Sequence, residues 1–200
     1  MKSALVIAAA VAGLGAVTSL GKDLDKTHNA VVAVSADGAN FGPATGTMVS
    51  DRIVVTAGHV SPAPRPDLPP WAVAIGPSAF TPEKRIRLNP ETGSRPHPLF
   101  LSFVEQFGRN PTERSDFVDV GLLVLPEPAG VAPVALPMPG VLDRLSSSDR
   151  FLAVGYGYHE IIRANDAGGG ASDGNRRQWR VGIRVLNTAW VQLDDDRAKG

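Results

Sequence analysis

Short β-branched and aliphatic runs recur along the chain from Leu24 onward. They lie at Ala30–Ser35, Gly46–Ser50, Arg52–Ala57, Trp71–Ile75, Arg85–Leu88, Phe117–Leu125, Arg150–Gly155, Gln178–Leu186 and Thr188–Leu193. Runs of this length, bounded by Gly, Pro, Asn and Asp, predict strands. The sharpest alternation is Trp179, Val181, Ile183 and Val185, with Arg180, Gly182 and Arg184 between them. It predicts one buried face and one wet face. No long stretch carries a strong helical period. The separators Ser61–Pro70 and Asn89–Pro98 are rich in proline, and Ala164–Arg177 is a polar loop holding Gly168–Gly170. Pro126–Pro139, with five prolines in fourteen residues, predicts an extended connection. It divides a front half of six strands from a back half of three. No internal repeat is visible.

Ahead of this pattern, Lys2 is followed by an uncharged, small and apolar run from Ser3 to Gly21. A basic start and an apolar middle predict a secretory signal over residues 1–21, and hence a secreted or periplasmic protein. Val17-Thr18-Ser19 offers small residues near a cleavage point, without an Ala-x-Ala pattern. The alternatives are a membrane anchor, since the run nears the ~20 residues that span a bilayer, and a wrongly assigned start of the chain.

Composition narrows the class. Twenty Lys and Arg balance twenty Asp and Glu, and neither half of the chain carries a marked excess. A nucleic-acid partner, which calls for a basic face, is not expected. The 21 glycines and 17 prolines suit many short strands and turns, so the fold class is all-β. There is no cysteine, which excludes disulfides, thiolate metal sites and a cysteine nucleophile.

Two residues stand out chemically. His59 ends Val55-Thr56-Ala57-Gly58-His59, an imidazole just past a strand. Asp119 opens the apolar run Val120-Gly121-Leu122-Leu123-Val124-Leu125. A carboxylate there needs a partner if it is buried. A histidine Nδ1–H would supply one, leaving Nε2 as a base. On residue types alone, a lone histidine after a strand is more often structural and Asp119 could merely cap a turn; Asp116 is a competing carboxylate three residues earlier.

The surrounding words form three blocks. Gly46-Thr47-Met48-Val49-Ser50 with Val54-Val55-Thr56-Ala57-Gly58-His59 resembles the histidine block of trypsin/chymotrypsin-like serine proteases. Asp119-Val120-Gly121-Leu122-Leu123-Val124-Leu125 resembles that family's aspartate block. Val154-Gly155-Tyr156-Gly157 resembles its Gly-Trp-Gly block. The three stand in the family's order, and the resemblance runs from about Thr27 to the last residue. It implies a trypsin-like double β-barrel with an N-terminal barrel over 27–125, the connection at 126–139 and a partial C-terminal barrel over 140–200. It implies a polypeptide substrate, no cofactor, no metal and a monomer. It also implies His59 as general base and Asp119 as the residue that orients it.

The family's Gly-Asp-Ser-Gly-Gly block, which brings the nucleophile and the oxyanion hole, has no counterpart here. Ser172-Asp173-Gly174 has the wrong order and a polar-loop setting, and Ser146-Ser147-Ser148 reads as a linker or turn. The chain is therefore expected to be inactive alone: a fragment of a protease, an inactive homologue acting as a polypeptide-binding module, or one part of a barrel that another chain completes. Val60 stands where the family often has cysteine. No activation junction appears in Lys26-Thr27-His28-Asn29-Ala30-Val31-Val32, so His28 reads as a surface or turn residue. His97, between Pro96 and Pro98, reads as a loop residue. His159-Glu160 lacks the second histidine of a zinc motif. Asp194–Asp196 reads as a solvated end.

Overall fold

The computed structural model describes residues 6–7, 23–35, 38, 40–41, 44–61, 71–107, 118–146, 148–157, 160–162, 169–186 and 191–195. Within them β1 (Val6–Ile7) and β2 (Asp23–Leu24) precede a group of seven strands: β3 (Val31–Ser35), β4 (Thr45–Met48), β5 (Ile53–Thr56), β6 (Ala72–Ile75), β7 (Lys84–Arg87), β8 (Ser94–Pro96) and β9 (Gly121–Val124). One helix, α1 (Pro98–Phe107), lies between β8 and β9. Then follow β10 (Arg150–Gly155), β11 (Glu160–Ile162), β12 (Gly169–Ala171), β13 (Arg177–Leu186) and β14 (Val191–Asp195).

The seven strands form one curled antiparallel sheet in the order β7-β6-β3-β4-β5-β9-β8. A second sheet runs β1-β10-β13-β14, with β2 also pairing β13. β11 and β12 form a separate hairpin. The molecule is thus mostly β.

Both faces of the first sheet are buried where it matters. Val32 and Val34 of β3 point to the inside of the curl, with Met48, Val54, Val73, Ile75, Ile86 and Leu123. Val31 and Ala33 point the other way, with Ala72 and Ala74, and meet Val154 and Tyr156. Burial on both faces explains why β3 reads as a continuous apolar run and not as an alternation. β10 repeats the device. Val154 faces the first sheet, while Phe151 and Ala153 pack with Val181 and Ile183 of β13. The alternation foreseen in β13 holds in part: Val181 and Ile183 are buried, Trp179 is half-buried and Arg180 is exposed, but Gly182, expected on the wet face, is buried as well, and the side chains of Arg184 and Val185 lie outside the described residues.

Glycines permit two of the close approaches. A Cβ on Gly46 would lie 2.3 Å from Val54 Cγ1, so β4 and β5 can lie flat together only because Gly46 has none. A Cβ on Gly155 would lie 3.0 Å from Thr45 Oγ1, the atom that accepts a bond from the Tyr156 N–H at 2.9 Å.

Several expectations change. The first sheet has seven strands, not six, because Ser94–Pro96 pairs with β9 at the sheet edge, and ahead of it β1 and β2 add two strands to the second sheet. Pro96 is tolerated at that edge because an edge strand has a side that needs no donor. The aspartate strand is shorter than foreseen and starts at Gly121. The back half has five described strands, not three. β14 extends through Asp194 and Asp195, so two of the acids expected as a solvated end lie within a strand paired to β13. The signal segment, apart from Val6–Ile7, and Asp116, His159 and Asp196 lie outside the described residues. No helix among the described residues is long and apolar enough to cross a membrane.

Candidate active site

The ladder between β5 and β9 brings the two candidate residues together. Thr56 pairs with Gly121 at its end. The chain leaves β5 through Ala57 into a single 3₁₀ turn, Gly58–Val60, that carries His59. Asp119 stands just before β9. Antiparallel pairing therefore delivers both side chains to one end of the sheet, although 60 residues separate them in sequence.

Asp119 holds His59 by both oxygens. Its Oδ2 lies 2.6 Å from His59 Nδ1, and its Oδ1 accepts the His59 backbone N–H at 2.9 Å. One carboxylate thus fixes both the ring and the turn that carries it. Its side chain is 12% exposed, and that of the imidazole is 34% exposed. An ionised Asp119 accepts from Nδ1–H, so the neutral ring keeps its lone pair on Nε2, the nitrogen that a base would use. Nε2 takes part in none of the hydrogen bonds of the described residues.

The turn is packed from behind. A Cβ on Gly58 would lie 2.7 Å from Phe100 Cγ and 3.1 Å from Asp119 Oδ1. Phe100 comes from α1. That helix is tied to the strand of Asp119 through His97, whose N–H donates to the Val120 carbonyl at 2.8 Å and whose carbonyl accepts from Phe100 N–H at 2.9 Å. Ser61, fully buried, donates to the Gly58 carbonyl at 3.3 Å. It fills the space that a side chain on Gly121 would need, at 1.5 Å from its Oγ.

No described serine hydrogen-bonds His59, and the hydroxyl of nearby Ser61 is turned to the Gly58 carbonyl. Ser172 accepts the Gly174 N–H and donates to the Tyr156 carbonyl at 3.5 Å. Asp173 is occupied by Arg177 and Asn175. Burial opposes the charge of Asp173, but these bonds hold its carboxyl down at about 2. Ser146 closes a turn onto Asp149. Ser146 and Asp149 thus form a turn, as the sequence suggests, whereas Ser172–Gly174 directly follows β12, a strand inside the stretch Ala164–Arg177 expected as a polar loop. His97 lies between β8 and α1, as a loop residue should. Among the described residues no group of three or more His, Cys, Asp or Glu could hold a metal ion.

A second histidine–carboxylate pair escaped the sequence reading. His28 Nδ1 lies 2.7 Å from Asp25 Oδ1. Asp25 also accepts from Thr27 Oγ1 at 2.9 Å, from His28 N–H at 3.1 Å and from Arg176 Nε at 2.7 Å. Arg176 is completely buried. It donates further to the Val31 and Gly76 carbonyls and to Asn29 Oδ1. The Tyr156 hydroxyl donates to the same Gly76 carbonyl. Burial alone would push the Asp25 carboxyl up, but His28, Arg176 and Thr27 together hold it well below the ordinary range. Burial pushes the Tyr156 phenol up to about 12 against the charge of Arg176. This network joins the N-terminal segment to both sheets. His28 is thus a structural partner and not merely a surface residue. Nothing in the local sequence marks Arg176, whose partner Asp25 is 151 residues away.

Beside His28 a groove of about 460 Å³ opens between Thr27–Val31 and the connection residues Gly130, Val131, Ala132 and Val134. Comparison with protein-family models gives no match, and comparison with curated proteins gives none either.

Proposed function

We propose that this chain carries the histidine and aspartate of a trypsin/chymotrypsin-like serine endopeptidase, with the curled seven-stranded sheet as the first barrel of a double-barrel fold. The observation that carries this reading is the double hold of Asp119 on His59, at 2.6 Å to Nδ1 and 2.9 Å to the backbone N–H. It leaves Nε2 as the open nitrogen of a half-exposed ring. The order of the three sequence blocks and the curl of the seven-stranded sheet support it further.

In this reading His59 takes the proton of a serine hydroxyl as that oxygen attacks a peptide carbonyl. It then returns the proton to the leaving amine, while Asp119 stabilises the imidazolium. The serine and the oxyanion donors belong to a segment with no counterpart here, so the chain alone should not turn over. Losing a triad member lowers the rate by about 10⁴–10⁶.

A second reading is an inactive homologue that binds polypeptide. The groove beside His28, lined by Ala30, Val31, Val131, Ala132 and Val134 together with Thr27, His28 and Asn29, favours it. The test is the intact mass of the protein from its native source, combined with a serine-directed fluorophosphonate label. A labelled species heavier than 21.0 kDa supports the endopeptidase. An unlabelled species at or below that mass overturns it in favour of the binding module.

A further inference from the structure

Gly58 precedes the histidine, yet its backbone does not require glycine. Its φ lies outside the left-handed region, unlike Gly76 at 129° or Gly174 at 68°. What requires glycine is space: a Cβ would stand 2.7 Å and 3.0 Å from two ring carbons of Phe100. The Phe100 ring thus sits where the side chain of the residue before His59 would be.

We infer that Phe100 is a positioning residue for His59, acting as a wedge that α1 drives behind the Gly58–Val60 turn. A glycine is the most pliable residue a turn can have, and a base is useful only if its ring is held to within a fraction of an ångström. Here a neighbouring element supplies the missing rigidity. Phe100 is 7% exposed and fixed by its own helix. The helix is anchored on both sides of the site, at Val120 through the His97 N–H and behind Gly58 through the ring. The same added methyl would also press on Asp119 Oδ1 at 3.1 Å. Wedge, turn and carboxylate are therefore one packed unit. Gly58 and Phe100 form a size-matched pair: one can be small only because the other is large and close.

The inference rests on reading His59 as a base, and its test does not need activity. The ring nitrogens of His59 are followed by NMR on ¹⁵N-histidine protein, reading the tautomer and the exchange of Nδ1–H with water. Phe100→Ala should speed that exchange about tenfold, the weight of one net hydrogen bond, and raise the Nε2–H tautomer. Phe100→Leu, which keeps a carbon at the Cγ position, should stay near wild type. Phe103→Ala, a second buried aromatic of the same helix, should lower stability and leave the exchange of His59 unchanged. Gly58→Ala should disturb the ring strongly with Phe100 present and add little in a Phe100→Ala background. If Phe100→Ala does not fold, Phe100→Val carries the same comparison. The inference is overturned if Phe100 and Phe103 variants move the His59 signals alike, or if Gly58→Ala does equal harm in both backgrounds. Absence of a labelled serine would defeat the endopeptidase reading and leave these results standing.

Discussion

Arg176→Met removes the centre of the network that joins the two sheets. The guanidinium is fully buried and reaches Asp25 at 2.7 Å, Asn29 at 2.9 Å and the Val31 carbonyl at 3.0 Å. Methionine fills a similar volume and returns none of these bonds. Asp25, itself 1% exposed, is left as a buried carboxylate facing only Thr27 and His28. Removing one partner of a buried ion pair costs about 3–5 kcal/mol. At this chain length that lowers Tm by roughly 6–20 °C. Urea unfolding followed by the fluorescence of the three tryptophans measures it. The double variant Asp25→Leu/Arg176→Met should lose less than Arg176→Met alone, because no charge is then stranded.

The pH dependence adds a second reading of the same pair. The folded Asp25 carboxyl titrates below its ordinary value of 3.8. Between the two values the unfolded chain binds more protons, so stability rises with pH. The contribution is complete above about pH 4 and is lost as pH falls below it. With Arg176 gone, burial is less opposed, and the slope below that pH should flatten. A loss under about 1 kcal/mol with an unchanged acid slope would refute the idea that this pair fastens the sheets.

Other outcomes follow from single contacts. Gly121→Ala should destabilise by about 1–3 kcal/mol through overpacking against Ser61, and adding Ser61→Gly should restore part of it in the same urea experiment. Asp119→Asn should place the neutral His59 proton on Nε2, read by ¹⁵N shifts, because an amide no longer demands the Nδ1–H tautomer. Tyr156 should ionise near 12, against about 10 for an unperturbed phenol. The difference in phenolate absorbance between wild type and Tyr156→Phe measures this, and a midpoint near 10 would refute its burial. Since the folded value is raised, this contribution is full below about pH 10 and lost as pH rises toward the folded value.

The strands were legible because β-branched runs and turn residues act locally. His59 and Asp119 were legible because each is joined to a strand whose pairing is fixed by its apolar pattern. Helix α1 was missed, although Phe100, Phe103 and Phe107 stand at helical spacing behind Pro98. The intervening Leu99, Leu101 and Val104 blur the period into a continuous apolar run. β8 was missed because proline and arginine disguise an edge strand. The Asp25–Arg176 pair was illegible for a different reason. A buried charge is recognised by its partner, and the partner is set by topology and not by neighbouring sequence.

That same pair orders the making of the molecule. Chains are synthesised from the N-terminus, and domains assemble as their parts emerge. Asp25 is held early by Thr27 and His28, both within three residues. Arg176 arrives only after most of the chain is made. Until then Asp25 remains a carboxylate that is better left in water. The outer face of the first sheet, Val31, Ala33, Ala72 and Ala74, meanwhile waits for β10 and Tyr156. Burial of that face therefore depends on residues that leave the ribosome after every strand of the first sheet has been made.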